Sequence, residues 1–149
     1  MAKKSLLRAG IPVSSGKAEV TILPYCFYKA IINGTRVPKG SGKLLKMILA
    51  TGEEVIDNYI KENIFNYDYQ TVPFKKPLLE KAKEYQPDMV VLSAMLPGEE
   101  SIREIIFDLQ RYTSCRIILL GGNVGPKSDL MIDAFFLGVR DFLFDPIEP

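Results

Sequence analysis

Short apolar runs alternate along this chain with stretches in which apolar residues recur every three or four positions. Leu44–Ala50, Tyr67–Phe74, Met89–Leu92, Arg116–Leu120 and Arg140–Phe144 read as strands, because brief apolar runs bounded by turn signals fit strands covered on both faces. Between them, Val55, Ile56, Tyr59, Ile60 and Ile64 recur at helical spacing and predict a helix over about 53–63. Leu78, Leu79, Ala82 and Tyr85 predict a second, from Lys76 or Pro77 to Tyr85, ended by Gln86-Pro87-Asp88. Ile102, Ile105, Ile106 and Leu109 give a third, and Ser128 to Leu137 a fourth, closed by Gly138. Thr51-x-x-Glu54 and Ser101-x-x-Glu104 have the form of capping boxes. Strands alternating with helices predict an α/β domain: a parallel sheet joined by right-handed crossovers. Ile48, Val90, Leu92, Ile118 and Leu120 are its expected central core.

Residues 1–43 stand outside this pattern and are expected to form a basic, β-rich N-terminal extension to a domain spanning 44–149. Glu19–Leu23 is β-rich, and Tyr28–Ile32, Asn33-Gly34 and Thr35–Val37 have the order of a hairpin on a tight turn. Pro38–Lys43 reads as a linker. Its Gly42-Lys43 invites comparison with a phosphate-binding loop, but Val37 stands where the first glycine is required and Leu44 replaces the hydroxyl residue.

In an open parallel sheet, ligands and chemistry gather outside the carboxyl ends of the strands. Ser93 ends the third strand, followed by Ala94-Met95-Leu96-Pro97-Gly98. With Arg116–Leu120 and the ending Gly138-Val139-Arg140-Asp141-Phe142-Leu143-Phe144-Asp145-Pro146, this stretch resembles the response-regulator receiver domain over roughly residues 44–147. The resemblance implies a flavodoxin-like (CheY-like) doubly wound sheet of five strands in the order 2-1-3-4-5.

It also implies a phosphoryl-accepting site, and here the reactive positions depart from the family. Ser93 occupies the place of the aspartate nucleophile. A serine hydroxyl needs an adjacent base, and the chain has no histidine. The metal-binding acidic pair should fall near Ala50 and Thr51, the hydroxyl at Gly121 and the lysine at Asp145, with Pro146 after a cis peptide. Glu53 and Glu54 come too late for the acidic pair and suit a helix N-terminus. Neither a metal nor a cofactor is expected. The pattern resembles a pseudo-receiver, similar to the degenerate receivers that precede ParA/MinD-like ATPases of pilus assembly. That implies a non-enzymatic interaction or regulatory domain within a larger ATPase or signalling protein.

The resemblance further implies a fifth helix, where Asp145-Pro146-Ile147-Glu148-Pro149 carries two prolines. The sheet face over the third to fifth strands is therefore expected to need a cover, either a second copy of the chain or the segment 18–37, and a continuation past Pro149 is expected. Phe135, Phe136, Phe142 and Phe144 are candidates for a partner interface, the alternative being that they fill the core.

Composition narrows the rivals. The absence of histidine excludes His-dependent triads and His zinc sites within these 149 residues. Cys26 and Cys115 fit neither a metal spacing nor a disulfide framework. No apolar run approaches the roughly 20 residues of a membrane span, and the first sixteen residues lack a signal-peptide core, so a cytoplasmic location is expected. Residues 1–46 hold nine Lys/Arg against Glu19, a net of +8, while residues 47–149 sum to −7. A basic arm beside an acidic body fits nucleic acid, an acidic partner or mutual attraction of the two parts. Gly121-Gly122-Asn123-Val124-Gly125, read as a loop, keeps a small-ligand or nucleotide module in view.

Overall fold

The computed structural model describes residues 44–144. The chain runs β1 (Leu45–Ala50), α1 (Glu54–Asn63), β2 (Tyr67–Thr71), α2 (Leu78–Tyr85), β3 (Met89–Ser93), α3 (Ile102–Tyr112), β4 (Arg116–Gly122), α4 (Asp129–Phe136) and β5 (Asp141–Phe144). All strand pairs are parallel, as the alternation predicts, and the order is β2-β1-β3-β4-β5, the doubly wound arrangement that the receiver resemblance implies. The strands in the middle are the most apolar, since both of their faces are covered. Met89–Ser93 is buried throughout, whereas the edge strand Tyr67–Thr71 keeps Asp68 and Thr71 in solvent.

Alternate residues divide the core into two layers. Ile48, Ala50, Val90, Leu92, Ile117 and Leu119 face α2, α3 and α4. Met47, Leu49, Met89, Val91, Ile118 and Leu120 face Ile56, Ile60 and Ile64 of the α1 segment. Ile48, Val90, Leu92 and Ile118 are fully buried and Leu120 nearly so, as expected for the central sheet. Helix α3 carries the regular apolar stripe, with Ile102, Ile105, Ile106 and Leu109 inward. Helix α4 is apolar on both sides: Met131 and Ala134 face the core, and Ile132, Phe135 and Phe136 face out.

Several boundaries differ from the sequence expectation. Leu44 is exposed and precedes β1, and β2 stops at Thr71 rather than Phe74. Val72 still donates to the Leu49 carbonyl, but Pro73 has no N–H to continue the ladder and Phe74 turns to solvent. Strand β4 runs through Gly121 and Gly122, which were expected to open a loop, with an irregularity opposite β5 between Leu120 and Gly122. Neither capping box forms. Glu53 is the N-cap of α1, and Ser101, although at the N-cap of α3, makes no side-chain capping bond. Ser128 does cap α4, its hydroxyl accepting from the Met131 N–H at 3.4 Å.

Gly138 ends α4 as expected, with φ of 105°. Its N–H reaches the Phe135 carbonyl and the Val139 N–H reaches that of Ala134. This is a Schellman closure, and Val139 is buried with Ala134 beneath it. The expectations for residues 1–43 and for a cis peptide at Pro146 lie outside the described residues.

Candidate functional site

Because every pair is parallel, the carboxyl ends of β1, β3, β4 and β5 share one edge. Ala50 pairs with Leu92, Ser93 with Leu120, and Gly122 with Phe144. The fold thus brings Ala50, Thr51, Ser93 and Gly121 to a common rim. Asp145 and Pro146 lie outside the described residues.

The polar groups on this rim are engaged in local hydrogen bonds. Thr51 is almost completely buried. Its hydroxyl donates to Asp57 Oδ1 at 2.6 Å and accepts from the Glu53 N–H at 3.1 Å. Ser93 Oγ accepts from the Met95 N–H at 3.1 Å, and the Ser93 carbonyl accepts from Leu96 N–H. That turn lowers Leu96 into the core. The same loop is tied to the β2–α2 connection, where Lys75 N–H donates to the Pro97 carbonyl and Lys75 Nζ to that of Gly98.

Gly121 is explained by what lies above it. A Cβ there would stand 2.6 and 2.8 Å from two carbons of the Phe144 ring and 3.2 Å from Met131 Cε. The aromatic ring of β5 occupies the space over the end of β4 that a side chain at 121 would need. Among the described residues no group of three or more His, Cys, Asp or Glu is placed to hold a metal ion.

Asp57 is the rim residue that sequence reasoning missed. It is buried in the first turn of α1. The available signal was its position between Ile56 and Ile60, on the stripe that α1 turns to the sheet. Burial pushes its carboxyl above the usual carboxylate range; the Thr51 hydrogen bond and Lys61 pull the other way, and Glu53 and Glu54 add to the rise. The folded protein therefore holds this proton more tightly than the unfolded chain. The group's contribution to stability declines as pH rises from the unfolded value of 3.8 through the raised folded one. Asp57→Asn, which keeps an acceptor for Thr51, is expected to remove that decline. Urea unfolding should show the variant gaining on the parent protein as pH rises from about 4 to about 7; an equal difference at both values would contradict the burial effect.

A second feature lies on α4. Phe136 is 80% and Phe135 51% exposed, joined by Ile132 and, from α3, Phe107. The two phenylalanines meet edge to face at 6.0 Å, and the Arg140 guanidinium sits 4.6 Å from the Phe135 ring centre. Phe142 and Phe144 are half-buried against the core. Together with Pro126, Met131, Ile132 and Phe135 they line a shallow cavity of about 320 Å³. The four aromatics therefore divide: two outward on the helix, two in the cavity floor.

No family model and no curated protein matches the chain. Solved structures do. The chain is similar to the response regulator domain of Thermotoga maritima CheB, with TM-score 0.60 and 17% identity over 70% of this chain and 80% of that one. It is also similar to the BeF3-activated N-terminal receiver domain of Klebsiella pneumoniae RstA (TM-score 0.55, 23% identity, 70% and 88% covered). A chain of the CheX-CheY-BeF3-Mg2+ complex of Borrelia burgdorferi gives TM-score 0.60 at 16% identity, with 75% and 86% covered. At these identities the likeness establishes the fold, which is that of CheY-like receiver domains.

Proposed function

We propose that residues 44–149 are a receiver-type regulatory domain that works through protein contact and does not accept a phosphoryl group. The observation that carries this reading is the state of the strand-end rim. Its hydroxyls, Thr51 and Ser93, are engaged in local hydrogen bonds, and Phe144 stands over Gly121. Phosphoryl transfer relies on a placed nucleophile and on charge stabilisation around it. At this rim Ser93 stands where the resemblance expects a carboxylate, and the one acid buried among the described residues, Asp57, is held by Thr51. Asp145, an acid, has no part as a cation in such chemistry.

The contact surface we assign to the outward side of α4, with Phe135 and Phe136 at its centre and Phe142 and Phe144 in the adjoining cavity. Aromatic residues, phenylalanine included, are enriched in protein interfaces relative to the rest of the surface. The partner is a protein, a second copy of the chain included. Degenerate receivers preceding ParA/MinD-like ATPases suggest the setting: one domain of a larger ATPase or signalling protein, acting in the cytoplasm. Among the described residues no helix is long and apolar enough to cross a membrane.

Incubation with acetyl phosphate and Mg2+ is expected to leave the intact mass unchanged, and Ser93→Asp is expected not to restore acceptance. A phosphoryl adduct on Ser93 would overturn the proposal. Titration with nucleotides, and with DNA at two salt concentrations, tests the rival readings, since binding of the basic segment to nucleic acid would weaken steeply with salt.

A further inference from the structure

Thr51 and Asp57 form a small polar cluster inside the rim, and its hydrogen bonds compete for one proton. Thr51 Oγ1 has two acceptors in reach, Asp57 Oδ1 at 2.6 Å and the Glu53 carbonyl at 3.2 Å. It also accepts from the Glu53 N–H at 3.1 Å. A hydroxyl donates once, so the two donations are alternatives, and the Asp57 carboxyl selects between them. Ionised, Asp57 can only accept. It takes the Thr51 proton and leaves the Glu53 carbonyl with the Asp57 N–H alone. Protonated, Asp57 donates to Thr51 Oγ1, and the Thr51 proton turns to the Glu53 carbonyl. The hydroxyl then uses its proton and both lone pairs, and the cluster closes on Glu53, the N-cap of α1.

The fold accommodates these two states unequally. Asp57 is 5% exposed, and among the described residues no ion pair reaches it. The charged groups that act on it are Lys61, Glu53 and Glu54, all from α1 or its N-cap, and the sheet contributes the neutral Thr51 hydroxyl. A buried carboxylate with one neutral donor must draw in water or take up a proton. The turn that would open to water, residues 51–54, rests on the next loop of the rim. A Cβ at Gly52, where φ is 72°, would stand 3.1 Å from Pro97 Cδ and 3.5 Å from Leu96 Cδ1. The Pro97 carbonyl in turn accepts from the Lys75 N–H of the β2–α2 connection.

We propose that Asp57 and Thr51 are a proton-operated latch on the rim: with Asp57 protonated the β1–α1 turn is closed against Leu96 and Pro97, and loss of the proton releases both loops. Burial moves this carboxyl upward, so the release comes as pH rises beyond the usual carboxylate range. The latch is independent of the α4 surface and of the phosphoryl-acceptor question.

The test is an NMR pH titration of the full chain that reads the Asp57 carboxyl carbon together with the amides of Gly52, Glu53, Leu96 and Gly98. The four amides are expected to shift with the midpoint of the carboxyl itself, above 3.8. Hydrogen exchange at Gly52 and Glu53, corrected for the intrinsic effect of pH, is expected to speed up several-fold across that midpoint. Asp57→Asn, which has no proton to lose, is expected to abolish both responses. In Thr51→Val the carboxyl is expected still to titrate, while Leu96 and Gly98 no longer follow it. Amides that stay still while Asp57 titrates would overturn the proposal, as would a carboxyl that titrates at or below 3.8. Responses that persist in Asp57→Asn would assign them to Glu53 or Glu54 and overturn it too. The titration of the parent protein decides alone should either variant fail to fold.

Discussion

Ile118→Asp is expected to leave no cooperatively folded protein. Ile118 sits in β4 opposite Val91 of β3 and Asp141 of β5, and it is wholly buried. A carboxylate placed there lies beside Val91 in an apolar layer that also holds Leu49 and Ile60. Burying an unpaired charge costs several kcal/mol at least, against a total stability of about 5–15 kcal/mol for a domain of this size. Val91→Asp is expected to behave alike. Circular dichroism with urea titration decides the matter. A soluble variant that unfolds in one transition near the parent midpoint would refute the placement of these strands. Phe136→Asp is the control, and at an exposed position its change in stability is expected to stay within about 0.5 kcal/mol.

Gly121→Val carries the second large effect. Its Cβ would fall inside contact distance of the Phe144 ring, with Met131 Cε close behind, so either the ring or the strand end must move. Over-packing of this kind costs about 1–3 kcal/mol. If the Phe144 ring is the obstacle, Phe144→Ala combined with Gly121→Val should recover part of the loss, giving a coupling energy of the size found for residues in contact. Strict additivity of the two substitutions would mean that the ring does not set the requirement for glycine.

These two sites differ in how far the sequence exposes them. Ile118 belongs to an uninterrupted apolar run, and a run buried on both faces can be read without knowing its neighbours. The strands and the parallel sheet follow from such runs and from their alternation with helical stripes, whereas the strand order is implied by the resemblance to receiver domains. Gly121 belongs to the other kind. Its meaning depends on Phe144, 23 positions later, across the β4–β5 ladder, and from sequence a Gly-Gly pair reads as a loop. Thr51 is similar. The spacing to Glu54 satisfies a local capping rule, but its hydroxyl goes to Asp57, which the first turn of α1 buries beside it. The overlong β2 has a different cause: Val72 and Phe74 are apolar enough for a strand, yet Pro73 takes away the N–H that pairing needs. For α4, amphipathic logic has little purchase, because both of its sides are apolar; only tertiary packing separates Met131 and Ala134 from Phe135 and Phe136.

The fork between Arg116 and Asp141 bears on a different problem, the fidelity of assembly. Arg116 Nε and Nη2 each donate at 2.6 Å to one oxygen of Asp141, near the start of β4 and β5. Strand β5 is four residues long and, after Asp141, wholly apolar. Phe142, Leu143 and Phe144 could in principle settle one step out of place, and such a slip would turn Leu143 toward α4 and the two phenylalanines toward α1. The slip would also carry Asp141 about 3.3 Å along the strand and onto the opposite face of the sheet, breaking both bonds of the fork at once. A partly exposed ion pair adds little to net stability. Its larger contribution here is to separate the correct alignment from its nearest competitor, so that this short strand, with Phe144 seated over Gly121 at its far end, has one place to stop.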